Sequence, residues 1–256
     1  MKFRSILKKI PILKRIYPSI IHKFFIFFKK NFFIYKFRDI YLCLNINDPI
    51  DRSVLLFDFY EDDQIKYLSN IFKKNKINYF FDIGANSGIY TLIVGKLFPD
   101  VKILSFEPIK ATFLKLTKNI SLNSNLKNIK EYNYGLSNKN LKLRMKSLIK
   151  NGFVQSGGFS VVKNNENLQN LHTEYALFKR TDDEFSIKNK TICLKIDVEG
   201  HEIFSLDGLN NIFKNNKIFL QIEIFPSNYD EVSKKLYDLN FKKTNQIDSD
   251  HYFMKN

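Results

Sequence analysis

Residues 79–88 read Tyr-Phe-Phe-Asp-Ile-Gly-Ala-Asn-Ser-Gly. A largely apolar run ends at Asp82, Gly84 and Gly88 follow, and residues 89–97 are apolar-periodic. This is the pattern of a buried strand, a tight glycine turn and the start of a helix. Glycine is needed where the backbone turns sharply or lets a ligand come close. The helix N-terminus beyond the turn presents free N–H groups to an anionic ligand group. Nineteen residues past Gly88 stands Glu107, at the end of a second strand pattern over residues 101–106. In nucleoside-binding α/β units an acid at about this distance accepts hydrogen bonds from the ribose.

The spacing of the glycines separates two cofactor classes. A dinucleotide fingerprint reads G-x-G-x-x-G, with glycines crowded against a pyrophosphate. Here the pattern is D-x-G-x-x-x-G, with Ala85 and Asn86 after the first glycine and Asp82 before it. An acid at that point repels a pyrophosphate but suits the ammonium of an amino-acid moiety. The turn therefore favours S-adenosylmethionine, which carries an adenosine, an ammonium and a carboxylate and no phosphate. Asp82, Gly84, Asn86, Gly88 and Glu107 are the candidate cofactor-binding residues. A strand–turn–helix with no ligand is the competing reading.

At 256 residues and 44% hydrophobic content the chain suits one α/β domain plus a modest extension. Cys43 and Cys193 stand far apart and in no metal-ligand spacing, as free thiols of a reducing compartment do. The net charge of +15 is uneven. Residues 1–40 hold eleven Lys or Arg against one acid, Asp39, which gives this stretch +10 of the total. It is also aromatic, with Phe24, Phe25, Phe27, Phe28, Phe32, Phe33, Tyr35 and Phe37. Lysines interrupt every apolar run, so neither a membrane span nor a secretory signal is expected. Three readings stay open for it: a helical extension packed on the domain, a peripheral contact with an anionic membrane surface, or a nucleic-acid contact. Residues 1–40 are thus set apart as an N-terminal extension and residues 41–256 as the main domain.

Outward from the glycine turn, residues 62–74 and 110–122 predict amphipathic helices, and Pro108 marks the start of the second. Residues 41–60 read as strand and turn pieces. Residues 128–134 predict a third strand. The turn after it, residues 135–138, lies beside the adenine in α/β cofactor sites, which adds Ser137 as a cofactor-side candidate; a plain turn is the alternative. Residues 141–149 and 174–180 predict strands, and the glycine-rich loop at 151–158 reads either as a lid or as a surface connection. Residues 217–224 and 229–239 predict a strand and a helix, and residues 241–247 and 251–254 an antiparallel pair at the sheet edge. Alternation of this kind makes a mostly parallel sheet with helices on both faces.

The second informative stretch is residues 192–202, Ile-Cys-Leu-Lys-Ile-Asp-Val-Glu-Gly-His-Glu. It predicts a buried strand carrying one lysine, with Asp197 at its C-terminal end, where open parallel sheets bind ligands. Asp197 is the first candidate for placing or deprotonating a substrate, and Glu199 and His201 come next. Glu223 interrupts an apolar strand, so it lies beside the site or faces a basic partner. No spacing is diagnostic of a metal site, and no metal is assigned, although Asp197, Glu199 and Glu223 are the carboxylates that could hold a divalent ion.

On these residues the chain resembles the FkbM family of S-adenosylmethionine-dependent methyltransferases. The resemblance is carried by D-I-G-A-N-S-G at 82–88, F-E-P at 106–108 and K-I-D-V-E-G-H-E at 195–202. Tyr60 and Glu61, Ser-Gly-Gly at 156–158 and Thr181-Asp182-Asp183 support it, so it spans roughly residues 50–225. Family members often carry an acid after the turn at Ser137; this chain has Asn138. The resemblance implies the class I methyltransferase (Rossmann-like) fold with a seven-stranded, mostly parallel sheet. It implies methyl transfer to a hydroxyl of a sugar, a glycan or a secondary metabolite, in the cytoplasm and, given the arm, at the inner face of the membrane. Two other readings stand beside it. The basic balance suits an RNA methyltransferase, though the charge sits in the arm and no N/D-P-P-Y/F motif for amino-group methylation occurs. A non-catalytic, cofactor-binding scaffold at the membrane is the other.

Overall fold

The computed structural model describes residues 31–256 except 151, 164 and 165, together with residues 21 and 25. A hairpin comes first, β1 (Phe32–Phe37) and β2 (Ile40–Asn45), followed by α1 (Pro49–Phe57) and α2 (Asp62–Lys74). Strands and helices then alternate as β3 (Tyr79–Ile83), α3 (Ile89–Leu97), β4 (Lys102–Phe106), α4 (Lys110–Leu122) and β5 (Ile129–Tyr132). An excursion follows through β6 (Gly135–Ser137), β7 (Leu141–Lys150), β8 (Phe153–Val154), β9 (Ser160–Val161) and β10 (Leu171–Arg180), closing in α5 (Thr181–Glu184). The chain then resumes as β11 (Thr191–Ile196), α6 (Glu202–Asp207), α7 (Asn210–Asn215), β12 (Lys217–Glu223), α8 (Tyr229–Asp238), β13 (Lys242–Ile247) and β14 (Asp250–Lys255).

The main sheet has seven strands in the order β13-β14-β12-β11-β3-β4-β5. β5, β4, β3, β11 and β12 run parallel, whereas β14 is antiparallel to both β12 and β13. This is the class I methyltransferase order, with the antiparallel pair at one edge. The chain builds outward from β3 in one direction, then returns and builds outward from β11 in the other. The crevice between the ends of β3 and β11 is therefore the topological switch point, where such sheets bind ligands.

Alternation along the strands feeds two cores. Phe81, Ile83, Ile192, Leu194 and Ile196 pack on one face with Leu206, Ile212 and Leu236. Phe80, Ile103 and Cys193 pack on the other with Leu92, Leu42 and Phe37. Successive side chains of a strand point to opposite faces, so Lys195 shares the face of Cys193. The second core includes the hairpin, which covers α3 and explains why nearly all of α3 is buried. Two amides one helical turn apart, Asn119 on α4 and Asn123 at its C-cap, fasten the hairpin there. Asn119 accepts from Cys43 N at 2.7 Å, and Asn123 both accepts from Tyr41 N and donates to Tyr41 O. An otherwise open strand edge is thereby satisfied.

Two expectations need correction here. Residues 49–57 form a helix, not strand and turn pieces: Asp48 accepts from the backbone of Ile50 and Asp51, and Pro49 sits in the first turn. An apparent turn signal is here a capped helix start. The division at residue 40 falls inside a hairpin, because Phe37 and Ile40 are both fully buried in the same core. The rest of the basic arm, residues 1–30 apart from 21 and 25, lies outside the described residues. Among the described residues no helix is long and apolar enough to cross a membrane.

Gly84 sits at φ +82, and a Cβ there would lie 1.8 Å from the carbonyl oxygen of Asp197. Gly152 has a similar φ of +78 but nothing within 4 Å of its Cβ position. Gly84→Ala is expected to destabilise the fold by more than about 3 kcal/mol, from overpacking plus strain. Gly152→Ala should cost only about 1–2 kcal/mol, the left-handed penalty alone. Urea denaturation midpoints compare the two, and equal costs would mean that β3 and β11 do not approach so closely.

Candidate active site

A cavity of about 230 Å³ opens at the ends of β3, β4 and β11. Its floor is the 82–88 turn. Asp82 is buried, and its Oδ2 accepts from Thr91 N at 3.0 Å and Thr91 Oγ1 at 2.6 Å. The strand-end acid thus caps α3 while also lining the cavity. Gly84 and Asn86 line it as well, Asn86 with a left-handed φ of 50°. Gly88 does not; a Cβ there would meet Leu116 Cδ1 at 2.4 Å, so this glycine lets α4 pack onto the turn.

Glu107 is buried at the end of β4, and each carboxylate oxygen accepts a backbone N–H. Asn86 N donates to Oε2 at 3.0 Å and Ile109 N to Oε1 at 2.9 Å. Burial pushes its pKa up to about 7 against these two bonds. Each oxygen keeps a lone pair for a further donor. Beyond it Ile109, Gly135, Met145, Phe159 and Phe178 form an apolar end of the cavity.

At the opposite end carboxylates gather around one cation. Lys195 is only 3% exposed, yet it is charged. Burial opposes that charge, but Asp197, Glu61, Tyr60 and Asp82 surround it and raise its pKa well above the usual value. Its Nζ lies 2.8 Å from Asp197 Oδ2 and 4.9 Å from the centre of the Tyr90 ring. Tyr90 OH in turn donates to Glu61 Oε2 at 2.7 Å. Glu61 has a left-handed φ of 40° and makes no side-chain cap for α2; its carboxylate is turned to Tyr90 instead.

Asp197, Glu199 and Glu223 each place an oxygen so that all three lie within 4.8 Å of one another. Their environments separate them. Burial works against ionisation of Asp197, but the Lys195 charge overcomes it and holds the acid below its usual range. Burial and the neighbouring Asp197 charge push Glu223 up to about 8, and Ser249 Oγ donates to its Oε1 at 2.8 Å. Burial, with Asp197 and Glu202 nearby, pushes Glu199 up to about 7.

Ser137 and His201 stand elsewhere. They bond to each other, His201 Nε2 to Ser137 Oγ at 3.0 Å, and line a second cleft that meets the first cavity at Glu199. Burial pushes His201 down to about 4. The glycine loop is set against α1, with Ser156 bonded to Asp48, and Gly157 and Gly158 form part of the cavity wall. Tyr60, Glu61, Tyr90 and Lys195 reach the site without having been marked as site residues by the sequence. One signal was there: a lysine in a buried strand requires carboxylate partners.

Residues 82–249 match the family described as the methyltransferase FkbM domain. The chain belongs to this family. Among curated proteins, a stretch of 153 residues is 28% identical to Methyltransferase 1 of Beauveria bassiana, covering 52% of this chain and 59% of that protein. Methyltransferase sdnD of Sordaria araneosa is 37% identical over 59 residues, 23% of each chain. The matches thus span less than two thirds of these relatives' lengths. Among solved structures, ribosomal protein L11 methylase of Lactobacillus delbrueckii subsp. bulgaricus aligns at a TM-score of 0.43 and 14% identity, over 77% of this chain and 79% of that one. A SAM-dependent O-methyltransferase of Thermotoga maritima aligns at 0.43 and 8%, over 80% and 69%.

FkbM methyltransferases of this fold take their methyl group from S-adenosylmethionine. The residues present fit that cofactor. It is cationic at sulfur and at its ammonium and carries no phosphate, and the cavity offers Glu61, Asp82, Glu107 and Asp197 against a single lysine. A pyrophosphate would meet repulsion from the same acids.

The raised pKa of Glu223 has a consequence for stability. A carboxyl whose folded pKa lies above its unfolded value adds stability that is full below the unfolded value, about 4.3, and lost as pH rises through the folded one. For Glu223 that loss runs up through about 8. Glu223→Gln cannot lose this proton, so its Tm should fall less than that of the wild type between about pH 6 and 9. Equal slopes in a thermal-melt series would mean that Glu223 holds no extra proton.

Proposed function

We propose that the protein methylates a hydroxyl group of a sugar, a glycan or a secondary metabolite. The observation that carries this reading is Glu199. Its carboxyl lines both the cofactor cavity and the neighbouring cleft, and its pKa is pushed up to about 7. An alcohol is a weak nucleophile and gains from a base whose pKa is near the working pH. Asp197, held ionised by Lys195, is a weaker base and serves to orient. His201 is neutral, bonded to Ser137 and faces the cleft.

Bound in the cavity, S-adenosylmethionine supplies a methyl group on a sulfonium. Glu107, fixed by its two backbone bonds, would hold the ribose hydroxyls. Asp82 and Glu61 would take the ammonium, and the apolar end around Ile109 and Met145 would take the adenine. The acceptor oxygen approaches from the cleft, and its proton passes to Glu199 and then to water. The loop at Gly157 and Gly158 limits water around the reacting groups.

The arm carries a second proposal, that the basic, aromatic segment leading into β1 rests on the anionic inner face of the cytoplasmic membrane. Phe32 and Ile34 support it: both are 62% exposed and continue the basic, aromatic segment onto β1. Sedimentation with phosphatidylserine vesicles is expected for the wild type and reduced in Phe32→Ser/Ile34→Ser. Equal binding to phosphatidylcholine vesicles alone would dismiss the electrostatic part.

Two variants separate binding from chemistry. Glu107→Ala is expected to weaken S-adenosylhomocysteine binding by about 1.5–3 kcal/mol, the worth of hydrogen bonds to a charged group. Glu199→Gln should keep that affinity and lose about 10²–10⁴-fold in turnover, along with the rise of rate with pH up to about 7. Calorimetry and methyl-transfer assays read these effects. If Glu199→Gln retained full turnover, it would not be the base.

A further inference from the structure

We propose that Gln221 positions Glu61 for the ammonium of S-adenosylmethionine, acting through the hydroxyl of Tyr90. This rests on the reading of Glu61 given above and adds to it a residue that touches neither cofactor nor acceptor. Five strands each place one polar side chain at the same level of the sheet. Ser105, Asp82, Lys195, Gln221 and Tyr252 are neighbours in register across β4, β3, β11, β12 and β14. Each is 3% exposed or less. The adjoining level on the same face is apolar, with Ile103, Phe80, Cys193 and Phe219. Burying an amide in such a place is costly unless its hydrogen bonds are made. Asp82 and Ser105 are accounted for by Thr91, and Lys195 by Asp197. Gln221 does not line the cavity, so its place in the row has another cause.

Its hydrogen bonds supply that cause. Gln221 Nε2 donates to Asp250 Oδ1 at 2.8 Å and to the Tyr90 hydroxyl oxygen at 3.2 Å. Asp250 sets which way round the amide stands. The reverse orientation would put Oε1 against a carboxylate oxygen, two acceptors with no proton between them. The cost falls on Oε1, which is buried and has no hydrogen-bond partner among the described residues. Because Tyr90 accepts from Gln221, its own proton is directed to Glu61 Oε2, 2.7 Å away. Hydrogen bonds aligned in series polarise and strengthen one another.

Glu61 requires this hold because a cation stands nearby. Lys195 Nζ lies 4.9 Å from the centre of the Tyr90 ring, and among the described residues its salt bridge is with Asp197, at 2.8 Å, not with Glu61. A Glu61 released from Tyr90 is free to close on Lys195, which would neutralise it. Held at Tyr90, it keeps its charge at the cavity that it lines. Its left-handed φ of 40° and the lack of a side-chain capping bond to α2 leave its direction to Tyr90.

Calorimetric titration of the full chain with S-adenosylhomocysteine and with methylthioadenosine tests the proposal. The second ligand keeps the adenosine and the sulfur and lacks the ammonium and the carboxylate. Gln221→Met fills nearly the same space without hydrogen bonds. It should weaken S-adenosylhomocysteine about threefold to tenfold, the worth of one hydrogen bond, and leave methylthioadenosine unchanged. Beside Tyr90→Phe, Gln221→Met should add nothing further, because Gln221 acts through that hydroxyl. Unchanged binding of S-adenosylhomocysteine, equal weakening of both ligands, or a Gln221→Met effect that persists in full beside Tyr90→Phe overturns the proposal. Should Gln221→Met not fold, the wild type decides: the side-chain amide signals of Gln221 in a proton–nitrogen correlation spectrum should move with S-adenosylhomocysteine and not with methylthioadenosine. Signals that stay in place with both, or move equally with both, overturn it. Glu61→Gln tests the reading underneath. If it keeps the wild-type preference for S-adenosylhomocysteine over methylthioadenosine, Glu61 does not meet the ammonium, whatever Gln221 does.

Discussion

One buried ammonium organises this site. Lys195 lies within the central strand of a parallel sheet, almost without exposure, and is bonded to Asp197. An isolated charge in that position would be very costly, and so would the carboxylates near it. Together they are tolerable, because Glu61, Asp82 and Asp197 share the field of one cation, and Tyr90 lies beneath it. Alternation along β11 decides where the ammonium goes: it shares the face of Cys193, toward α3, instead of the face of Leu194 and Ile196. From there it fixes which carboxylate is ionised and which keeps its proton.

That division gives the acids separate tasks. Asp197 touches the ammonium and stays charged; Glu223 and Glu199 lie one step further out and hold their protons to about 8 and about 7. Burial raises Glu223 and Glu199, whereas at Asp197 the adjoining Lys195 charge overcomes it, so acids within 4.8 Å of one another differ in basicity. Glu107 is raised by burial as well. It is buried away from the lysine and held by two backbone N–H groups, an arrangement suited to binding, not to proton transfer.

The scaffold brings these groups together by close backbone contact. Gly84 allows the end of β3 to meet the carbonyl of Asp197, and Gly88 allows α4 to sit on the turn. α4 then holds the hairpin through Asn119 and Asn123, and Asn119 also donates to Ser87 O in the same turn. The inserted sheet supplies the opposite wall. Its β6 pairs with β10, and a Cβ at Gly208 would lie 1.9 Å from Ser137 O, so α6 and the insertion are locked together beside the cleft. Cofactor cavity and cleft are consequently two sides of one junction, with Glu199 between them.

Much of this was legible in the linear chain. The D-x-G-x-x-x-G spacing, Glu107 at its distance and the K-I-D-V-E-G stretch are local patterns, because a turn, a strand end and a helix start are made by neighbours in sequence. They determined the fold class, the family and the kind of cofactor. The helix at 49–57 was hidden because Asp48 and Pro49 serve a turn and a helix cap equally well. Tyr60, Glu61, Tyr90 and Lys195 were not assigned to one site, since their meeting depends on strands and helices far apart in the chain. Only the tertiary structure decided that Gly88 serves packing, that Ser137 and His201 face the cleft, and which carboxylates keep a proton. The reason is physical: a pKa is set by burial and by charges across space, and neither is written in the spacing of residues along the chain.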